Sequence, residues 1–337
     1  MNDVIVIGAG ISGLIATRQL RSAGRQVVLM EGRARTGGRA VSLKIGDASF
    51  DLGPTWVWAS ETHVMALIQE LGLPVFDGRK PGSDVYQTAS GNQYGRLPRS
   101  AVAEHRIDGG TQRLADALAK TVGPVKLGCV AEAIIDHNTH LSVTTNQGTF
   151  FGKHVIAALP PRLLARSIRV EDPLTTMWRR VPTWMADVAK VVAIFDSPIW
   201  REAGLSGRAA STVGPMVEVH DLSSRDDAHT ALFGFVPRTF ADGDLKQRVG
   251  RQLHQMYGPQ TTPSSVHIQK WWTEALTHSG DSETDDTSLM AHPSLHKSAL
   301  GGRLHLTSCE TSTVSPGHLN GAIERAQTVS KYLLSLL

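Results

Sequence analysis

Apolar positions along this chain gather into short runs set off by glycine-rich turns, and the first run is the sharpest. Val4-Ile5-Val6-Ile7 is unbroken and β-branched, the pattern of a strand buried on both faces of a parallel sheet. Gly8-Ala9-Gly10-Ile11-Ser12-Gly13 follows at once, then a helical stretch from Leu14 to Ala23, then a second apolar strand, Val27-Val28-Leu29-Met30, closed by Glu31. That order predicts a complete βαβ unit. Later, Val188 to Phe195 reads as an apolar strand with one lysine, Lys190, inside it. Leu304 to Thr307 reads as a short strand leading past Glu310 and Gly317 into a helix from about Leu319 to Leu337. The fold class expected is α/β, with mixed α+β character, on a Rossmann-like nucleotide-binding unit.

The glycines of the first turn have separate mechanical duties. Gly8 permits the tight turn, Gly10 lets backbone N–H groups approach a pyrophosphate, and Gly13 lets helix and strand pack closely. Ile11 and Ser12 open the helix, so phosphates bound there sit at its positive end. Glu31 ends the second strand, where its carboxylate can accept hydrogen bonds from both hydroxyls of an adenosine ribose. An acid here argues against a 2′-phosphate. The glycine pattern alone is weak evidence, since a glycine-rich turn needs no ligand; strand, helix, strand and acid in register make it strong. The next segment, Gly32-Arg33-Ala34-Arg35-Thr36-Gly37-Gly38-Arg39, distinguishes FAD from NAD. Arg33 and Arg39 are placed to reach the adenosine and pyrophosphate side of a larger nucleotide, and Gly38 lets the chain pass close to it. The bland alternative is that these arginines are solvated surface charges.

Composition narrows the field. At 337 residues the chain exceeds the roughly 250 to 300 at which single cores stop growing, so two domains are expected. With 41% hydrophobic and 19% charged residues it reads as globular. A net charge of +3, spread along the chain, excludes the basic footprint of a nucleic-acid binder. Two cysteines in no CxxC arrangement point to neither a disulfide framework nor a thiolate zinc site, and fit a reducing cytoplasm. No signal-type segment and no apolar run near 20 residues is present, so a soluble protein without a membrane partner is expected. The fourteen histidines are scattered, and no metal site or Ser-His-Asp arrangement is expected.

The segment from Gly8 to Arg39 resembles the flavin-containing amine oxidase family, and separated blocks extend the resemblance over most of the chain. Phe50-Asp51-Leu52-Gly53-Pro54-Thr55-Trp56 is similar to the family segment beside the flavin ring, which implies Pro54, Thr55 and Trp56 as cofactor contacts. Ile107-Asp108-Gly109-Gly110-Thr111 resembles the return into the FAD domain. Val125 to Val130 is similar to the strand whose valine, here Val130, meets the adenine. Val155 to Pro161 resembles the exit to the substrate domain, and Val188 to Val192 with Pro198-Ile199-Trp200 the strand carrying the flavin lysine. Gly302 to His305, Glu310-Thr311 and Gly317-His318-Leu319-Asn320-Gly321-Ala322 complete the set, implying Glu310, His318, Leu319 and Ala322 at the cofactor.

The resemblance implies a discontinuous FAD domain, residues 1–60, 104–165 and 285–337, with an inserted substrate domain, 61–103 and 166–284, containing a mixed sheet. It implies oxidation of a primary or secondary amine to an imine, with dioxygen as acceptor and hydrogen peroxide released. Lys190 is then the lysine that holds a water against flavin N5, and His318 replaces one of two aromatic rings that frame the amine. A solvent-facing lysine on an edge strand is the alternative for Lys190. Trp56, Trp271 and Trp272 are candidate flavin or substrate walls, with core packing as the alternative; Trp56 and Trp272 are the ones expected at the cofactor. The stretch between Trp56 and Arg106 is shorter than in monoamine oxidases, which leaves room for an open cleft. Where covalent members carry a cysteine, this chain reads Thr277-His278-Ser279-Gly280-Asp281-Ser282, so noncovalent FAD is expected, with Ser282 or a neighbour at the other framing position. A flavin desaturase or other non-amine dehydrogenase, or a non-catalytic FAD-binding partner protein, remains open at this stage, as does the oligomeric state.

Overall fold

The computed structural model describes residues 1–78, 80–98, 102–278 and 287–337. Strand β1 (Asn2–Ile7), helix α1 (Ile11–Ser22) and strand β2 (Val27–Met30) form the opening unit. β1 pairs in parallel with β2, Ile7 opposite Met30, and on its other side with the long strand Gly148–Ala157, Ile7 opposite Ala157. That strand pairs in parallel with Leu304–Leu306, joining sequence from both ends of the chain. The parallel strands thus finish at one edge, at Met30, Ile7, Ala157 and Leu306. In open α/β sheets that edge is where ligands bind.

The unbroken β1 run is explained by burial on both faces. Val4 and Val6 belong to one apolar cluster with α1, the helix Gln112–Val122 and the C-terminal helix Leu319–Leu336. Ile5 and Ile7 belong to a second cluster with Ile134, Leu141, Val143 and Leu304. The first half of Gly148–Ala157 also pairs antiparallel with Leu141–Thr145, which pairs with Ala131–Asp136, so a meander continues the same sheet as far as Arg169–Val170.

A second seven-stranded sheet runs in the order Ser265–Lys270, Val188–Phe195, Thr230–Pro237, Glu218–Asp221, Leu205–Ser211, Ser83–Thr88, Gly91–Gly95. Its pairings are antiparallel except Leu205–Ser211 with Ser83–Thr88, so it is mixed. Buried Arg106 ties the halves together, donating to Ser223 O at 2.7 Å and Leu222 O at 3.0 Å. Asp51 organises the crossing loop: its Oδ1 accepts from Thr111 N at 2.7 Å, Thr111 Oγ1 at 2.8 Å and Ser42 Oγ at 2.7 Å. Among the described residues no helix is long and apolar enough to cross a membrane, and no group of three or more His, Cys, Asp or Glu side chains is arranged to hold a metal ion.

Candidate active site

A cavity of about 600 Å³ runs from the carboxyl edge of the parallel sheet to the face of the second sheet. At its first end lie Gly8, Gly10, Ile11, Ser12, Glu31, Arg33, Gly38 and Arg39. Gly13 stands behind this wall for a packing reason, since a Cβ there would lie 1.8 Å from Gly8 O. Gly10 differs. A Cβ on Gly10 would meet nothing nearer than Gly38 Cα at 4.0 Å, so no protein neighbour requires glycine there. What the missing Cβ leaves open is the cavity.

Two helices begin at the cavity, and neither is capped by a side chain. The first turn of α1 starts at Ile11 and Ser12; the C-terminal helix presents His318, Leu319 and Ala322. Amides in a first helical turn have no intrahelical acceptor, and a buried helix end left this way is stabilised by an anion or a carbonyl from a ligand. The Ser12 hydroxyl donates to Thr307 O, which fixes α1 to the end of the C-terminal strand. Glu31, 4% exposed, accepts from Ala9 N at 2.8 Å and Arg33 N at 2.9 Å and still faces the cavity with lone pairs to use. The residues therefore fit a dinucleotide: open glycine, free amides, and an acid at the ribose position.

The arginines stand where the sequence expectation put them, and each also has protein partners. Arg33 reaches Thr277 Oγ1 at 2.8 Å and Glu274 Oε2 at 3.3 Å. Arg39 grips Glu310 at 2.6 and 3.1 Å and also meets Cys309 Sγ at 3.2 Å. Glu310 is fully buried outside the lining and accepts from Trp184 N at 3.1 Å, so it acts through Arg39 and Trp184. Burial alone would raise its carboxyl, but the charge and hydrogen bonds of Arg39 outweigh that and hold it below the ordinary glutamate range. Val130 lines the cavity, with its N–H and carbonyl both bonded to Asn146.

At the far end the lining includes Pro54, Thr55, Trp56, Lys190, Phe235 and His318. Lys190 is 1% exposed and its strand is paired on both sides, opposite Phe235 and Gln269, so the edge-strand alternative does not apply. Its Nζ donates to Gly53 O at 2.8 Å and to Thr55 Oγ1, and lies 4.3 Å from the Phe233 ring centroid. Burial pushes the Lys190 ammonium down to about 7, against an opposing pull from Asp51. Trp56 lines the cavity with its ring packed against His220 and Phe233.

Trp272 is not brought to the cavity. Its ring packs with the core of the second sheet and under Arg238, while Trp271 lines the cavity and donates from Nε1 to Leu52 O at 3.2 Å. The turn after Lys270 decides which of the adjacent rings faces inward, and sequence does not specify that turn. The framing position at Ser282 lies outside the described residues. Among the lining residues with no sequence signal of their own are Trp58, Glu61 and Trp184. Trp58 stacks on His318 with centroids 5.3 Å apart, and Trp184 meets it edge-on at 6.0 Å.

Comparison with known proteins agrees with this geometry. The family model for flavin containing amine oxidoreductase matches residues 11–105 and 92–334. Putrescine oxidase of Kocuria rosea is 21% identical over 456 aligned positions, covering 98% of this chain and 95% of that protein. Amine oxidase [flavin-containing] B of Bos taurus is 23% identical, covering 98% and 86%. Among solved structures, cyclohexylamine oxidase from Brevibacterium oxydans superposes with a TM-score of 0.88 at 19% identity, over 99% of each chain. A putrescine oxidase bound to putrescine gives 0.86 at 20% identity, again over 99% of each chain. The open glycine, the buried lysine and the extent of the family match together place this chain in the flavin-containing amine oxidoreductase family.

Proposed function

We propose that the cavity holds one FAD noncovalently and that the protein oxidises a small primary or secondary amine to an imine. The observation that carries the reading is Lys190: a buried lysine, held by Gly53 O and Thr55 Oγ1, on the wall of the same cavity whose other end is the open glycine turn. FAD, when bound, supplies the two-electron acceptance and passes the electrons to dioxygen, with hydrogen peroxide released. The chain supplies everything else. The amides at the start of α1 receive the pyrophosphate, and Glu31 accepts from the ribose hydroxyls. Gly53 O and Thr55 Oγ1 hold Lys190 Nζ in place, and a nitrogen with a pKa of about 7 can hold or move a proton on a bound water. Trp58, Trp184 and His318 supply an aromatic wall for the amine, and the apolar lining excludes water. Putrescine oxidase and cyclohexylamine oxidase, both similar to this chain, are named for amines of this size.

Noncovalent attachment is supported by the absence of cysteine between residues 273 and 300. It is also supported by the state of Cys309, whose thiol burial pushes up to about 12, with Arg39 pulling against it. The proposed division is a nucleotide part, 1–60, 104–165 and 285–337, and a substrate part, 61–103 and 166–284. The two seven-stranded sheets support it, although Arg169–Val170 extends the first sheet a few residues beyond that boundary. A cytoplasmic setting fits two cysteines that are both free thiols. The deciding experiment is an amine panel on purified protein with coupled peroxide detection. Turnover of primary or secondary amines by yellow protein is expected; yellow protein that yields peroxide with none of them sinks the reading. Acid precipitation should leave the flavin in the supernatant.

A further inference from the structure

We infer that Glu61 is a positioning residue for the amine: it fixes the His318 ring so that Nε2 accepts a hydrogen bond from a substrate N–H. This rests on the proposal that the cavity oxidises an amine. It begins with an exchange of capping duties. Glu61 and His318 are the N-cap residues of the helices Thr62–Glu70 and Leu319–Leu336, and neither side chain caps its own helix. Asn320, from the first turn of the second helix, caps the first: its Oδ1 accepts from His63 N at 2.9 Å and Val64 N at 3.2 Å. The Glu61 carboxylate, 7% exposed, is left to accept from Trp58 N at 3.3 Å and to meet His318 Nδ1 at 3.2 Å.

The imidazole is fixed on its other sides as well. Trp58 stacks on it with an interplanar angle of 23°, Trp184 meets it edge-on, and Gly317 has a φ of 84° with Trp184 so close that a Cβ would lie 2.7 Å from the indole. Among the described residues nothing bonds to Nε2, and both Glu61 and His318 line the cavity. A carboxylate can only accept, so in a neutral ring Nδ1 must carry the proton and Nε2 keeps its lone pair. The amine that is oxidised must itself be neutral, so it offers N–H bonds and no full charge. A directed acceptor suits it. The same acceptor discriminates against tertiary amines, which have no N–H once neutral.

Two measurements test this on the holoenzyme. ¹⁵N spectra of histidine-labelled protein, with the His318 signals assigned by their loss in His318→Phe, should show the Nδ1–H form in the wild type and its loss in Glu61→Leu. Anaerobic flavin reduction should show an amine dissociation constant raised roughly 10- to 100-fold in Glu61→Leu, the scale of one buried hydrogen bond, with the limiting rate within about threefold. Glu61→Gln, which keeps an acceptor oxygen, should recover most of the affinity. In a His318→Phe background Glu61→Leu should change the dissociation constant by less than about twofold, since the two act as one unit. A wild type whose bound flavin no amine reduces overturns the amine reading itself. A wild type that amines do reduce, with additive losses in the double variant or with His318 in the Nε2–H form, overturns only the role given to Glu61.

Discussion

The glycine end and the lysine end of the cavity are built in opposite ways. At the glycine end the charged side chains are anchored by the protein: Arg33 by Glu274 and Thr277, Arg39 by Glu310. The groups that face a ligand most freely are backbone amides and the edges of Glu31. At the lysine end the backbone is tied up in a sheet, and side chains carry the unused valence, with the Lys190 ammonium pushed down to about 7 and His318 Nε2 unbonded among the described residues. The first end is shaped to bind one fixed molecule rigidly; the second is shaped to take part in chemistry. Substitutions at the two ends should therefore fail differently, the first in cofactor retention or folding, the second in rate.

The largest effect is expected within the glycine turn itself. Gly13→Ala must push a methyl into Gly8 O, 1.8 Å from its ideal place, and should destabilise by about 4 kcal/mol or more, seen as insoluble or unfolded protein by circular dichroism. Gly10→Ala has room in the protein and should fold, yet lose FAD affinity roughly 100-fold, the scale of one or two charge-assisted hydrogen bonds. Flavin-to-protein absorbance ratios separate the two. If Gly10→Ala retains full flavin, the turn does not hold a pyrophosphate and the comparison collapses.

Next in size is the Arg39–Glu310 pair. Glu310→Leu leaves the Arg39 guanidinium without its partner, and breaking such a pair costs about 3–5 kcal/mol, whereas the double change Arg39→Met with Glu310→Leu should cost less than Glu310→Leu alone. Acid sharpens the test. The folded carboxyl is depressed, so its contribution is full above the ordinary glutamate value of 4.5 and is lost as pH falls through the folded value. Thermal melts of the double variant should therefore lose less between pH 5 and the acid limit than those of the wild type.

Lys190→Met probes the other end. It should keep FAD and fold, and slow flavin reduction or reoxidation by roughly 10- to 1000-fold. Any inflection near pH 7 in the wild-type rate should vanish with it. Stability rises with pH here as it does for Glu310, since both groups are shifted down, but the charged form is the stabilising one in Glu310 and the destabilising one in Lys190. A buried lysine shifted down to about 7 destabilises the fold when protonated, so that cost is relieved as pH rises from there toward the ordinary value of 10.5. Unchanged stopped-flow rates in both half-reactions would remove Lys190 from the mechanism.

How much of this was legible in sequence follows from the same contrast. Gly8, Gly10, Gly13 and Glu31 lie within one βαβ unit, so local spacing alone brings them together. Lys190 was legible because a lysine inside an apolar strand needs a reason. Glu61 and Trp58 carry no such anomaly; they matter because the strand Val57–Trp58 pairs with Glu104–Ile107 and the helix after it abuts the C-terminal helix. The contacts between the two helices span over 250 positions, as between Glu61 and His318, and no periodicity reports them. The Arg39–Glu310 pair was not legible for a related reason: the two residues are 271 positions apart.

The smallest expected effect concerns the adjacent tryptophans, where the sequence could mark a pair of rings and not choose between them. Trp272→Leu removes a ring that packs under Arg238 in the core of the second sheet, so it should cost some stability but leave flavin content and kcat/KM within about twofold. Trp271→Phe keeps most of the buried area yet removes the Nε1 donor to Leu52 O, one residue before the Gly53 carbonyl that holds Lys190. That change should lower the rate of flavin reduction several-fold while hardly moving the melting temperature, because a lost neutral hydrogen bond is worth about 1 kcal/mol and its effect falls on placement of the loop. The reverse outcome, with Trp272→Leu slowing reduction and Trp271→Phe silent, would mean that the turn after Lys270 presents the other ring.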